Sequence, residues 1–208
     1  MPANAAARWL AKAGPQPTMR DPHRDKTRVA VLISGRGSNM QALVEQASGY
    51  EVVLVASNRP PAEGLDWARY RGIPTWAWDS KGVDKEAFDR ILSRALDDHQ
   101  VGTVAFAGFM RIVSPWFVDE WQGRLVNIHP SLLPRHRGLD THRRALDAGD
   151  TVHGCSVHLV TEELDAGEIL GQAEVPIKAS DNAASLAKRV LEAEHRLYPQ
   201  VLREFVSR

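Results

Sequence analysis

A chain of 208 residues, 43% hydrophobic and 25% charged, can bury a full core as one domain, or one domain with a tail, without help from disulfides or metal. Its 26 Lys and Arg balance 26 Asp and Glu, which argues against bulk binding to nucleic acid or an anionic membrane, though a local basic pocket stays open. No run approaches the ~18 consecutive apolar residues of a transmembrane helix. The lone Cys155 has no internal disulfide partner; it fits a reducing cytoplasm and reads as a small buried apolar residue.

Residues 1–27 differ from the rest of the chain. Pro2, Pro15, Pro17 and Pro22 punctuate them, and the apolar stretch around Trp9-Leu10-Ala11 is too short for a secretory signal. Asp21 and Asp25 weaken a basic targeting peptide. The expectation is a disordered extension without chemistry, with Met19 an alternative start, whose removal through residue 26 leaves folding and activity unchanged.

From Arg28 the pattern is regular. Val29–Ile33 is a continuous apolar strand of the kind buried on both faces of a parallel sheet. Ser38–Ala47 reads as a helix with Met40, Leu43, Val44 and Ala47 on one face. A second strand, Val52–Ala56, precedes a helix through Leu65–Tyr70. Then come a short strand at Thr75–Ala77, a helix from Lys85 to Asp98 and a strand at Val104–Ala107. Strands alternating with helices mean a single-domain α/β architecture, mostly parallel and Rossmann-like. Cys155–Val160 and Ile169–Val175 read as antiparallel extensions of the sheet. A final helix from Ala183 to Val206 buries Leu186, Val190, Leu197, Val201 and Phe205. The tryptophans 67, 76, 78, 116 and 121 read as packing.

Chemistry gathers in the connections. Ser34-Gly35-Arg36-Gly37-Ser38-Asn39 joins the first strand to the first helix, where glycines let the backbone approach an anion and the helix start offers amide donors. Ser38 is also a candidate N-cap. The third glycine of a dinucleotide fingerprint and the lysine of a P-loop are both missing, so one phosphate fits better than a pyrophosphate; the alternative is a turn serving only the chain path. Phe109-Met110-Arg111-Ile112-Val113 could wall a flat heterocycle pocket, although such residues are more often core.

Gly123–Val126 reads as a short buried strand running into Asn127-Ile128-His129-Pro130-Ser131-Leu132-Leu133-Pro134. Asn127 and His129 are two apart, so an extended segment projects both to one face. There an amide and an imidazole could serve a developing oxyanion, or Asn127 could cap a turn and His129 be a satisfied buried histidine. Thr161-Glu162-Glu163-Leu164-Asp165-Ala166-Gly167 is a turn with Gly167 at its bend. Asp165 could orient an imidazole and move a proton, or be an ordinary turn residue; spacing alone does not place it beside His129. His129, His136, His142, His153 and His158 form no helical pair with an acidic ligand, and no metal is expected.

In their order, Ser34–Asn39, Phe109–Ile112, Asn127–Pro134 and Leu164–Gly167 resemble the phosphoribosylglycinamide formyltransferases, a folate-dependent formyltransferase family, from about Arg28 onward. The resemblance implies a catalytic domain over residues 28–208. It implies formyl transfer from 10-formyltetrahydrofolate to the amine of glycinamide ribonucleotide in de novo purine biosynthesis. Asn127, His129 and Asp165 match the family's catalytic trio, and Gly37, Ser38 and Asn39 its phosphate loop. Glu194 matches a glutamate on the ribose; Met110, Arg111, Ile112, Val113 and Val118, with Asn127, match the folate side. Residues 131–150 look like a mobile loop near the folate. Departures are Leu191 in place of a phosphate-binding lysine, Asp140 in place of a histidine, and Arg36 in place of an asparagine. Small-molecule substrates, no nucleic acid, no membrane, a cytoplasmic location and a monomer or homodimer follow as expectations. A tRNA formyltransferase would need a further C-terminal domain and a basic surface; a formyl-folate hydrolase usually carries a regulatory N-terminal domain. A non-catalytic nucleotide-binding module is the rival of another class.

Overall fold

The computed structural model describes residues 24–208, so most of the expected N-terminal extension lies outside the described residues. The chain runs β1 (Arg28–Ile33), α1 (Ser38–Glu45), β2 (Glu51–Ser57), α2 (Glu63–Tyr70), β3 (Thr75–Ala77), α3 (Lys85–Asp98), β4 (Thr103–Phe106), α4 (Pro115–Glu120), β5 (Leu125–His129), α5 (Thr141–Asp147), β6 (Val152–Leu159), β7 (Ile169–Pro176) and α6 (Ala183–Val206). The strands form one seven-stranded sheet in the order β3-β2-β1-β4-β5-β6-β7. β1 through β5 are parallel, and β6 and β7 add on antiparallel.

Alternation along β1 shows why its run is apolar throughout. Val29, Val31 and Ile33 join a cluster with Met40 and Leu43 of α1, Leu65 of α2, and Leu186, Val190 and Val201 of α6. Ala30 and Leu32 face the opposite cluster, with Phe88, Leu92 and Leu96 of α3, Phe117 of α4 and Trp121. Both faces are therefore covered, as a parallel sheet requires. On α6, four of the five expected core residues are buried and Leu197 is half-buried against the same cluster. Tyr198 is fully buried, and its hydroxyl donates to the carbonyls of Phe106 (3.1 Å) and Val126 (3.0 Å), pinning α6 across the ends of β4 and β5.

Two helices went unread in the sequence. α4 is announced by Ser114-Pro115: the Ser114 hydroxyl accepts from the Phe117 amide at 3.3 Å, and proline opens the first turn. α5 occupies part of the stretch expected to be a loop; its N-cap is Asp140 at φ 57°, without a side-chain cap bond. Residues 24–27 carry defined contacts. The Arg24 guanidinium pairs with Asp97 at 2.6 Å and lies over Trp121, and the Lys26 carbonyl accepts from Thr103 Oγ1 at 2.8 Å. Contacts with α3 and β4 thus extend to residues ahead of Arg28.

Candidate active site

β2 and β3 lie on one side of β1 and β4 on the other, so the crevice past the ends of β1 and β4 is a topological switch point, where open α/β sheets hold ligands. Ser34 ties the crevice together. Its amide donates to Gly108 O (3.1 Å), and its hydroxyl donates to Asn58 Oδ1 (2.5 Å) while accepting from Met110 N (2.7 Å).

The loop after β1 turns into α1 at Gly37, which takes φ 73° and is itself the N-cap. Ser38 is therefore the first helical residue and not the cap, because the left-handed turn has already been made by glycine. Gln41 N bonds Gly37 O, so the amides of Ser38, Asn39 and Met40 precede the helix's own ladder. α2 presses on this loop through Gly64: a Cβ there would lie 2.6 Å from Ile33 Cδ1 and 3.0 Å from Arg36 O.

Opposite the loop, α6 presents Glu194, whose Oε2 accepts from Asn39 Nδ2 at 2.7 Å. Glu194 is only 6% exposed, and burial pushes its carboxyl up to about 6 against the lowering effect of the Asn39 bond. Asn39 Oδ1 is buried without a partner. A raised carboxyl favours the protonated fold, so its stabilisation is complete below the ordinary value of 4.5 and is lost as pH rises through about 6. Glu194→Gln should therefore gain thermal stability over the native chain by about 2 kcal/mol above that range and nothing comparable below it. Melting curves on either side of the window check this; a difference independent of pH would show that no buried charge is being relieved.

β5 carries Asn127 and His129 on one face, as alternation requires. The antiparallel register of β6 sets His158 opposite Asn127 and Ser156 opposite His129. His158 Nδ1 lies 2.8 Å from the Leu159 carbonyl, an acceptor, so this nitrogen carries the proton and Nε2 is left to accept from Asn127 Nδ2 at 3.1 Å. His158 thereby fixes which way the Asn127 amide faces. Burial lowers the His158 pKa, which keeps the ring in the neutral form this bond requires. The turn beyond β6 brings Asp165 back over the same strands, with Oδ2 3.4 Å from His129 Nδ1 and Oδ1 3.7 Å from His158 Nε2. Gly138 N donates to Asp165 Oδ2 at 2.9 Å. His129 and Asp165 are both buried.

Ser156 secures the turn after His129 by donating to Ser131 O (2.6 Å) and accepting from Leu133 N (3.0 Å) and from Gln172 Nε2 (2.8 Å). The Asp165 turn is held differently from the sequence expectation. Asp165 itself takes the left-handed conformation, φ 51°. Gly167 is required by proximity, since a Cβ on it would lie 1.9 Å from the Leu159 carbonyl oxygen. Gly167→Ala should displace this turn and Asp165 with it, lowering turnover together with thermal stability by roughly 1–3 kcal/mol. A variant with unchanged melting and unchanged activity would show that the turn yields freely.

Met110 and Ile112 project outward, 68% and 62% exposed. Arg111 instead folds inward over the Phe88 ring, 4.7 Å from its centroid, with its guanidinium near the carbonyls of Val83 and Asp84. Val113 and Val118 are half-buried against the second core cluster. Beside Met110 and Arg111 opens a cavity of about 320 Å³, also lined by Asn58, Arg59, Asp79, Ser80 and Lys81. The structure thus brings Asn127, His129 and Asp165 together, and separately Asn39 with Glu194. His158 and Gly138 were not singled out for these roles in the sequence; cross-strand register and loop return are what recruit them. Cys155 is buried, and burial pushes its thiol up to about 12.

Comparison with known proteins shows the family and the fold. Residues 27–202 match the formyl transferase family model. A phosphoribosylglycinamide formyltransferase of Escherichia coli K12 is 46% identical over 184 residues, covering 86% of this chain and 87% of that protein. The trifunctional purine biosynthetic protein adenosine-3 of Gallus gallus is also 46% identical, over 88% of this chain, but the chain spans only 19% of that longer relative. Among solved structures, a phosphoribosylglycinamide formyltransferase from Brucella melitensis superposes with a TM-score of 0.82 at 47% identity, covering 87% of this chain and 96% of that one. With its fold and its sequence in agreement, the chain belongs to the formyl transferase family.

Proposed function

We propose that the chain transfers the formyl group of 10-formyltetrahydrofolate to the primary amine of glycinamide ribonucleotide, a step of purine synthesis. The observation that carries this reading is the convergence of Asn127, His129 and Asp165 from β5 and from the turn beyond β6. The amine nitrogen attacks the formyl carbon, and the carbonyl oxygen takes up the negative charge. The Asn127 amide and the Nδ1–H of the His129 ring, whose Nε2–H meets the His136 carbonyl, donate to that oxygen, an effect worth about 3–4 kcal/mol per donor in acyl transfer. The Asp165 carboxylate lies 3.4 Å from that Nδ1 and receives a proton from the amine. The bond from the formyl carbon to the folate nitrogen then breaks, and the proton passes to that nitrogen. Ser131 donates its hydroxyl to Arg135 O and has no base partner, which supports direct transfer over an acyl-enzyme.

In this reading the amides at Gly37, Ser38 and Asn39 hold the ribonucleotide phosphate and Glu194 takes the ribose hydroxyls. Met110, Arg111, Ile112, Val113 and Val118, with Asn127, form the folate side. The enzyme works in the cytoplasm on small molecules, as a monomer or homodimer, with residues 28–208 as its catalytic domain. The test is folate absorbance with 10-formyltetrahydrofolate, with and without glycinamide ribonucleotide. Tetrahydrofolate release that requires the ribonucleotide supports the transferase. Release without it would replace the reading by a hydrolase, and no release in either case would overturn formyl transfer to this acceptor.

A further inference from the structure

His129 has two ring nitrogens, and only Nδ1 faces Asp165. The other, Nε2, lies 3.2 Å from the main-chain carbonyl of His136. A carbonyl only accepts, so this contact is a hydrogen bond when Nε2 carries the proton. What holds His136 there is unusual in two respects. His136 sits at φ 54°, a left-handed conformation that a non-glycine residue adopts only under strain. Its own imidazole is turned inward, 13% exposed, with Nε2 2.7 Å from Asp150 Oδ2.

Asp150 is a firm anchor. Its side chain is 5% exposed, its amide bonds Ala145 O (3.1 Å) at the end of α5, and its other carboxylate oxygen is engaged by Arg135. The bond from His136, more than the Arg135 charge, holds the Asp150 carboxyl below the usual carboxylate range. His153 packs its ring edge-on against His136, with centroids 6.1 Å apart. The path is continuous: Asp150 holds the His136 ring, the ring keeps the backbone at positive φ, and that backbone aims a carbonyl at His129.

We propose that His136 and Asp150 form a latch that orients the His129 ring with its proton-bearing Nε2 on the His136 carbonyl, acting as positioning residues for formyl transfer. The inference rests on the functional reading above. Without the latch, His136 can relax to an ordinary backbone conformation, its carbonyl swings away, and the His129 ring loses its Nε2 acceptor. The turn itself survives, because the Ser131 hydroxyl still donates to the Arg135 carbonyl at 2.7 Å.

The experiment pairs kinetics with ¹⁵N-histidine NMR of the full chain, the His129 signals being identified by their loss in His129→Gln. His136→Phe and Asp150→Asn should each lower kcat by between about tenfold and about 100-fold with KM nearly unchanged, as expected for a misplaced catalytic group. The His129 Nε2–H signal should shift and exchange faster with water. His136→Gln keeps a donor toward Asp150 and should retain most of the native turnover and the native His129 signal. A His136→Phe variant with native kcat and an unaltered His129 signal would overturn the latch. So would equal losses in the Phe and Gln variants, since the hydrogen bond would then be irrelevant. If the native chain shows no ribonucleotide-dependent transfer, the functional reading fails. The NMR arm still decides the latch, with a changed His129 signal supporting it and an unchanged one overturning it.

Discussion

His129→Ala is expected to lower turnover by about 10²–10⁴-fold, the combined scale of a lost oxyanion donor and a lost proton carrier. Ribonucleotide affinity should hardly change. The expected ribonucleotide contacts stand on α1 and α6, where Asn39 meets Glu194, whereas His129 stands on β5. Removing the ring also strips a donor from His136 O and a partner from Asp165, so a stability loss of about 1–3 kcal/mol should accompany the change. Single-turnover kinetics and equilibrium binding below the melting transition separate the two effects. Loss of binding in proportion to loss of rate would move His129 from chemistry to substrate positioning.

Asp165→Asn should cost at least about 10²-fold in turnover, and the position suits the test. Asparagine tolerates the left-handed conformation that Asp165 adopts at φ 51°, and its amide oxygen can still accept from Gly138 N. What disappears is the negative charge facing His129 Nδ1 and His158 Nε2. Asp165 opposes the lowering of the His158 pKa by burial, so without it that ring stays neutral to still lower pH. The acid side of the pH–rate profile should therefore change shape and move toward lower pH. A variant whose profile overlays the native one would remove Asp165 from the mechanism.

These two residues mark what could be read in the chain and what could not. Asn127 and His129 share a face because they sit two apart in a strand, and two-residue alternation is a local property. The helices at Lys85–Asp98 and Ala183–Val206 were equally legible, their apolar spacing running over enough turns to define both ends. Shorter helices escaped. α4 offered only Ser114-Pro115 as a start signal, and α5 opens at Asp140 without a side-chain cap bond. Gly167 was seen as a bend, yet its reason is the Leu159 carbonyl passing where a side chain would stand.

By itself the sequence determined the α/β alternation, the apolar strands buried on both faces, the glycine loop ahead of the first helix, and the pairing of Asn127 with His129 on one strand face. Each of these depends on neighbours within a few positions. Only the tertiary structure decided that Asp165 meets His129, that His158 orients Asn127, that Glu194 reaches Asn39, and that His136 offers its carbonyl to His129. Those contacts join residues separated along the chain by a strand register, a loop return or a whole helix. The energy that brings them together is the packing of both sheet faces, which local sequence does not record.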